Sequence, residues 1–263
     1  MELMVIENMP DKALLFDQCG VDRIFIDLEI LGKEERQGHL NTVISRHSIN
    51  DIKAVKQVLK KSKLLVRVNP INPDSEQEIN DAIKFGADIL MLPMFTTKKE
   101  VETFVKFVAK RAKVNLLLET PEAATLIDEI LSVSGIDEIH IGLNDLHLAL
   151  GLKFMMEMYL GSFLEDLTSK IKAFKISLGI GGIAPLEGGM ISGKLVAAEA
   201  IRLGCERFIL SRSFPKDDPT LFKQNLEDLK RYCSEVLAWT NDRKLENRTL
   251  LQESILKTSL VVK

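Results

Sequence analysis

Cysteine, basic charge and long apolar runs are all scarce in this chain, and each scarcity excludes a class of protein. Cys19, Cys205 and Cys233 are odd in number and widely separated. That pattern argues against a disulfide framework or a zinc cluster and fits buried structural thiols in a reducing compartment. The formal charge of −3 and pI near 5.9 provide no basic footprint for nucleic acid. No apolar run approaches the ~20 residues that span a bilayer. The N-terminal MELMVIENMPDK lacks a basic segment followed by an apolar core, so no secretory signal is expected and a cytoplasmic location is. No linker, repeat array or low-complexity segment divides the chain.

What is present is a repeating alternation. The chain has 263 residues, 46% of them hydrophobic and 28% charged, which suits a globular protein with one large core. Short runs rich in Ile, Leu and Val read as strands at residues 3–6, 23–29, 64–69, 89–94, 114–119, 138–143, 176–182 and 207–212. They show little polar alternation, as strands buried on both faces do. Between them lie amphipathic stretches such as SEQEINDAIKFG and KKEVETFVKFVAKR. Eight strands in βα order favour a closed (β/α)8 barrel over an open sheet, with residues 1–263 forming one domain. The first strand, LMVI, has the thinnest signal because Pro10 follows it closely.

Three stretches exceed a minimal barrel. Residues 30–47 form a long polar connection, and residues 181–193 contain five glycines and one proline that suggest a loop over the barrel mouth. Residues 217–263 read as a helical extension that either caps the barrel or packs on another subunit.

Charged residues at strand ends carry the chemistry. Glu119 closes VNLLLE and Asp145 follows EIHIGLN, 26 residues later, about one βα repeat. The carboxyl ends of all barrel strands open onto one face. Two carboxylates there can share a hard divalent cation such as Mg²⁺. Helix capping is the plainer role for Asp145. Arg67, inside LLVRVN, is costly in an apolar strand unless paired or aimed at a polar site. It either forms a structural ion pair with Asp27 or Glu29 or binds a substrate oxyanion. Strand alternation is read as turning one of Asp27 and Glu29 toward the interior. The run GIGGIA at 179–184 matches a dinucleotide fingerprint poorly, and Arg212 could meet an anion after the last strand. His39 and His47, in the polar connection, are candidate general bases. His140 reads as a core or supporting residue, and His147 as one that orients the Asp145 loop.

The stretch LLLETPEAATLIDEILSVSGIDEIHIGLNDLHLALG, with DLE at 27–29, RVNP at 67–70, GADILMLPM at 86–94 and the glycines near 181, resembles the HpcH/HpaI aldolase and citrate lyase β-subunit family. The resemblance implies a (β/α)8 barrel, often in trimers or hexamers, that cleaves or forms carbon–carbon bonds. It implies Glu119 and Asp145 as ligands of Mg²⁺ or Mn²⁺ and Arg67 on the oxygen that develops negative charge. Backbone groups around Gly142, Asn144 and Asp145 would take the carboxylate of a pyruvate-like substrate.

The chain departs from the family where pyruvate aldolases carry His after the D-x-E of strand two and citrate-lyase-like members carry Asp: here Ile30 follows. The base is therefore unassigned, with His39 and His47 as candidates. The implied activity is a metal-dependent lyase cleaving a 2-oxo-4-hydroxy acid through a pyruvate enolate. The alternatives are a malyl- or citramalyl-type lyase, with coenzyme A as part of its substrate, and a paralogue that binds metal and ligand without turnover.

Overall fold

In the computed structural model, which describes residues 1–32 and 47–260, eight parallel strands close into a barrel in simple sequence order. They are β1 (Glu2–Ile6), β2 (Arg23–Asp27), β3 (Lys63–Arg67), β4 (Ile89–Leu92), β5 (Lys113–Leu118), β6 (Glu138–Ile141), β7 (Ser177–Ile183) and β8 (Arg207–Leu210). Closure is made by β1 against β8, with Leu3 paired to Phe208. LMVI is therefore a full strand, one residue longer than its apolar run.

Alternate residues of each strand point in opposite directions. One set, Met4, Phe25, Leu65, Ile89, Met91 and Leu117, packs together as a separate cluster that fills the barrel. The other set joins the larger core beneath the helices. This double burial is why the strand sequences look uniformly apolar.

The helices follow from local signals. α1 (Pro10–Cys19) and α2 (Ile49–Val58) precede β2 and β3. α3 (Ser75–Phe85) ends on Gly86 in the left-handed region, φ 110°, which favours glycine. α4 (Lys98–Val108) opens with a capping box between Thr97 and Glu100. α5 (Pro121–Thr125) and α6 (Ile127–Leu131) precede β6, and α7 (Leu143–Ala149) follows it. A short 3₁₀ turn (Met155–Tyr159) leads to α8 (Phe163–Ala173), and α9 (Gly193–Arg202) lies between β7 and β8.

The extension forms α10 (Pro219–Leu237) and α11 (Asn241–Ser259). Leu251 and Ile255 of α11 are buried, Asn247 donates to the Leu195 carbonyl of α9, and Arg248 pairs with Glu165 of α8. Within this chain, then, the extension packs on the barrel's own helices. No helix among the described residues is long and apolar enough to cross a membrane.

Several strands stop short of their apolar runs. β2 ends at Asp27 rather than 29, β3 at Arg67 rather than 69 and β8 at Leu210 rather than 212. The residue just beyond each end still donates one bond to the neighbouring strand, Leu28 to Arg67, Val68 to Met91 and Ser211 to Ile183, and polar residues such as Glu29 and Asn69 follow. The glycine-rich segment after β7 is tied down by backbone bonds from Gly193 to Gly188 and from Lys194 to Leu186. A Cβ on Gly193 would lie 2.3 Å from the Pro185 carbonyl oxygen, so only glycine lets the segment lie against the start of α9.

Candidate active site

Arg67 is the last residue of β3, and Asp27, the last of β2, is its partner in register. Their side chains therefore rise side by side. Arg67 Nε and Nη2 each donate to an Asp27 carboxylate oxygen at 2.8 Å, a bidentate fork. Nη1 lies 3.2 Å from a Glu29 oxygen, and the guanidinium sits over the Phe25 ring, 5.6 Å from its centroid. Both Asp27 and Glu29 are buried, so the expectation that only one faces inward is corrected. Residues two apart share one side of a strand. The ion pair foreseen for Arg67 exists with both. Burial opposes the charge on Arg67, but Asp27 and then Glu29 outweigh it and raise its pKa.

Glu119 stands just past β5. The next residue, Thr120, caps α5 by accepting from the Ala123 N–H, so the backbone turns away while the Glu119 side chain stays in the mouth. Glu119 is 3% exposed and accepts one bond, 3.2 Å, from the Met94 N–H. Gly142, at the end of β6, makes room for it, since a Cβ there would lie 2.8 Å from Glu119 Cβ and Oε2. Asp145 lies in the first turn of α7, whose cap position is Gly142, so Asp145 is not the cap.

Electrostatics set this mouth apart. Burial drives the Glu119 pKa well above the usual carboxylate range; Arg67 opposes the shift, whereas Asp145 and Glu29 add repulsion. Among the described residues, Asp27, Glu29 and Glu119 thus act on the Arg67 guanidinium, and Asp145 acts on Glu119. Among the described residues, no group of three or more His, Cys, Asp and Glu is arranged to hold a metal ion. Glu119 and Asp145 are the two protein carboxylates that could hold a cation here. Their mutual repulsion is what such a cation would relieve.

The remaining candidates disperse. His47 Nδ1 accepts the Asp27 N–H at 3.0 Å, sealing the β2 edge where β1 has ended. His39 lies outside the described residues. His140 is fully buried inside the barrel; Cβ atoms on Gly179 and Gly181 would lie 2.3 Å and 3.3 Å from its two ring nitrogens. Those glycines of the GIGGIA run therefore accommodate His140 rather than a nucleotide. Buried His147 contacts the Leu143 carbonyl through Nδ1 at 3.2 Å, a local contact within α7. Asn144 is half-buried in the first turn of α7 beside Asp145, and Arg212 is exposed after β8.

Sequence reasoning missed two sets of residues. Asn69 of RVNP binds the Ile30 and Leu31 N–H groups and Glu78. At the opposite end of the barrel, Arg23 and Arg207 surround Glu138. Alternation offered a signal for the second set, because Glu138 lies two before His140 and so shares its inward side.

Comparison with known proteins agrees with this fold. The family model described as HpcH/HpaI aldolase/citrate lyase matches residues 6–167. An HpcH/HpaI aldolase from Desulfitobacterium hafniense DCB-2 superposes with a TM-score of 0.62 at 16% identity, covering 80% of this chain and 85% of that one. A family member from Burkholderia cenocepacia J2315 gives 0.64 at 15% identity, over 88% and 93%. The citrate synthase SbnG gives 0.62 at 16% identity, over 89% and 93%. Comparison with curated proteins gives no match. These structural likenesses show the fold alone, whereas the family model spans more than half of the residues. The chain belongs to the HpcH/HpaI aldolase/citrate lyase family.

Proposed function

We propose that the protein is a divalent-metal-dependent carbon–carbon lyase that cleaves a 2-oxo-4-hydroxy acid, or a similar small acid, into pyruvate and an aldehyde. The observation that carries this reading is the convergence of Glu119, Asp145 and Arg67 on one mouth, with Glu119 held well above the usual carboxylate range by burial. Mg²⁺ or Mn²⁺ held by Glu119 and Asp145 would supply Lewis acidity toward the 2-oxo acid.

The chain's own groups do the rest. Asp27 and Glu29 engage three N–H groups of Arg67, leaving one N–H on each terminal nitrogen for the substrate oxygen that gains charge. Because the fork is already locked, it need not reorganise during the reaction. The backbone around Asn144 and Asp145, with Gly142 giving clearance, takes the substrate carboxylate. His47 accepts at Nδ1, so in its neutral form it presents Nε2–H. Cleavage must take the proton from the substrate's 4-hydroxyl as the aldehyde forms; this tautomer can donate a hydrogen bond to that oxygen but cannot accept its proton, so in this state His47 is not the base.

The test is to mix the protein, Mg²⁺ or Mn²⁺ and pyruvate in D₂O and follow the methyl signal by NMR. Metal-dependent loss of methyl protons is the expected result. No exchange in protein that demonstrably binds metal would overturn the pyruvate enolate reading in favour of a thioester lyase or a non-catalytic binder.

A further inference from the structure

The pairing of β2 with β3 ends sooner than the site requires. The last ladder bond between them runs from the Leu28 N–H to the Arg67 carbonyl, 2.9 Å. Glu29 comes next, and its carboxylate must still reach Arg67 Nη1. The following two N–H groups, of Ile30 and Leu31, no longer meet backbone on β3. Both instead donate to one atom, Asn69 Oδ1, at 2.9 and 3.1 Å. Asn69 is in turn fixed at its other end. Its Nδ2 donates to Glu78 Oε1 at 2.8 Å, and its own N–H points at the same carboxylate at 3.2 and 3.3 Å. Glu78 is half-buried in the first turn of α3, where a carboxylate also meets the positive end of the helix dipole.

Glu29 is therefore pinned on both sides, by the ladder before it and by the Asn69 amide after it. We propose that Asn69, braced by Glu78, is a positioning residue that extends the β2–β3 ladder by side chain and so holds Glu29 against Arg67. The inference rests on the proposed function for its catalytic consequence. Its structural half stands separately.

The roles of the two ends of Asn69 can be exchanged. Asn69→Asp keeps an oxygen for Ile30 and Leu31 but loses the donor to Glu78 and sets two carboxylates together. Adding Glu78→Gln restores a donor, now from the helix side. Asn69→Ala removes the brace altogether.

Two readouts test the proposal in the full-length protein with Mg²⁺: hydrogen exchange of the Ile30 and Leu31 amides, and the rate of methyl exchange with pyruvate. Asn69→Ala should speed exchange of both amides and lower the methyl-exchange turnover, each by ~10-fold, about the effect of one lost hydrogen bond. KM for pyruvate and Mn²⁺ affinity should stay within ~2-fold, because neither metal carboxylate has moved. Asn69→Asp should show the same defects and Asn69→Asp/Glu78→Gln should recover both, a rescue that mere loss of folding would not give. Amide exchange unchanged in Asn69→Ala, or no recovery in the double variant, overturns the brace. If the wild-type protein fails to exchange the pyruvate methyl while its Ile30 and Leu31 amides are protected, the enolate reading falls, and the amide results alone decide the brace.

Discussion

The two ends of the barrel use the same residue types to opposite effect. At the floor, Glu138 sits between Arg23, 2.6 Å away, and Arg207, at 3.7 Å, with Asn115 adding a 3.0 Å hydrogen bond. Burial raises the Glu138 pKa, but these partners outweigh it and bring it down to about 2. At the mouth, Glu119 is equally buried, shares one Arg67 with Asp27 and Glu29, and is repelled by Asp145, so its pKa goes up. Both regions bury charge at a desolvation cost of several kcal/mol per ion. The floor satisfies its carboxylate from within the chain. At the mouth, among the described residues, the partners of Glu119 do not outweigh its burial, and it is there that the proposed cation site lies.

The largest expected effect comes from removing the carboxylates proposed to hold the metal. Glu119→Gln or Asp145→Asn should abolish detectable Mn²⁺ binding in a titration, while the thermal midpoint of Glu119→Gln stays level or rises because a buried carboxyl that burial disfavours in its charged form has gone. Next, Glu138→Ala should destabilise the fold by ~3–5 kcal/mol in denaturant unfolding, leaving Arg23 and Arg207 without their buried partner, yet spare Mn²⁺ affinity. Loss of metal binding in this floor variant would erase the contrast. Arg67→Lys should slow methyl exchange by ~100-fold or more, the scale of a lost oxyanion donor, because lysine cannot reproduce the fork. Its circular dichroism should remain that of a folded barrel; an unfolded variant would make Arg67 part of the scaffold alone.

The smallest effect is on pH dependence, and it belongs to the floor. His140 is fully buried, with its pKa brought down to about 3 by burial and then by Arg207 and Arg23. The unfolded chain binds this proton below about pH 6.5 and the folded one only near 3, so stability falls as pH drops through that window. Glu138 adds to the loss between its ordinary 4.5 and about 2. His140→Leu should flatten the decline in thermal midpoint between pH 6.5 and 4.5, since neither ring nitrogen has a hydrogen-bond partner to lose. An unchanged slope would remove His140 as its source.

Much of the mouth was legible because its residues interrupt apolar runs. Glu119, Asp145 and Arg67 are charges where strands should be greasy, and (β/α)8 periodicity places all three at one face. The Arg67 environment was only half legible: Asp27 and Glu29 were both in view, but that both reach the guanidinium follows from their shared side of β2 and from the Asn69 brace. Asn69 itself entered the sequence reading only as part of the LLVRVN strand and the RVNP match. The floor went unread because Glu138 and Arg207 begin their strands, where a charge normally reaches solvent; in a closed barrel that end is sealed. The glycines at 179 and 181 matched a dinucleotide fingerprint poorly, and the position of the His140 ring explains them. His39 falls outside the described residues.

The central claim is the proposal that Glu119 and Asp145 together hold a divalent cation at the mouth. Titration of Mn²⁺ into the wild-type protein and into Glu119→Gln, followed by electron paramagnetic resonance, tests it most directly. The account predicts saturable binding to the wild type and none to the variant. Equal binding to both, or none to a folded wild type, would contradict it.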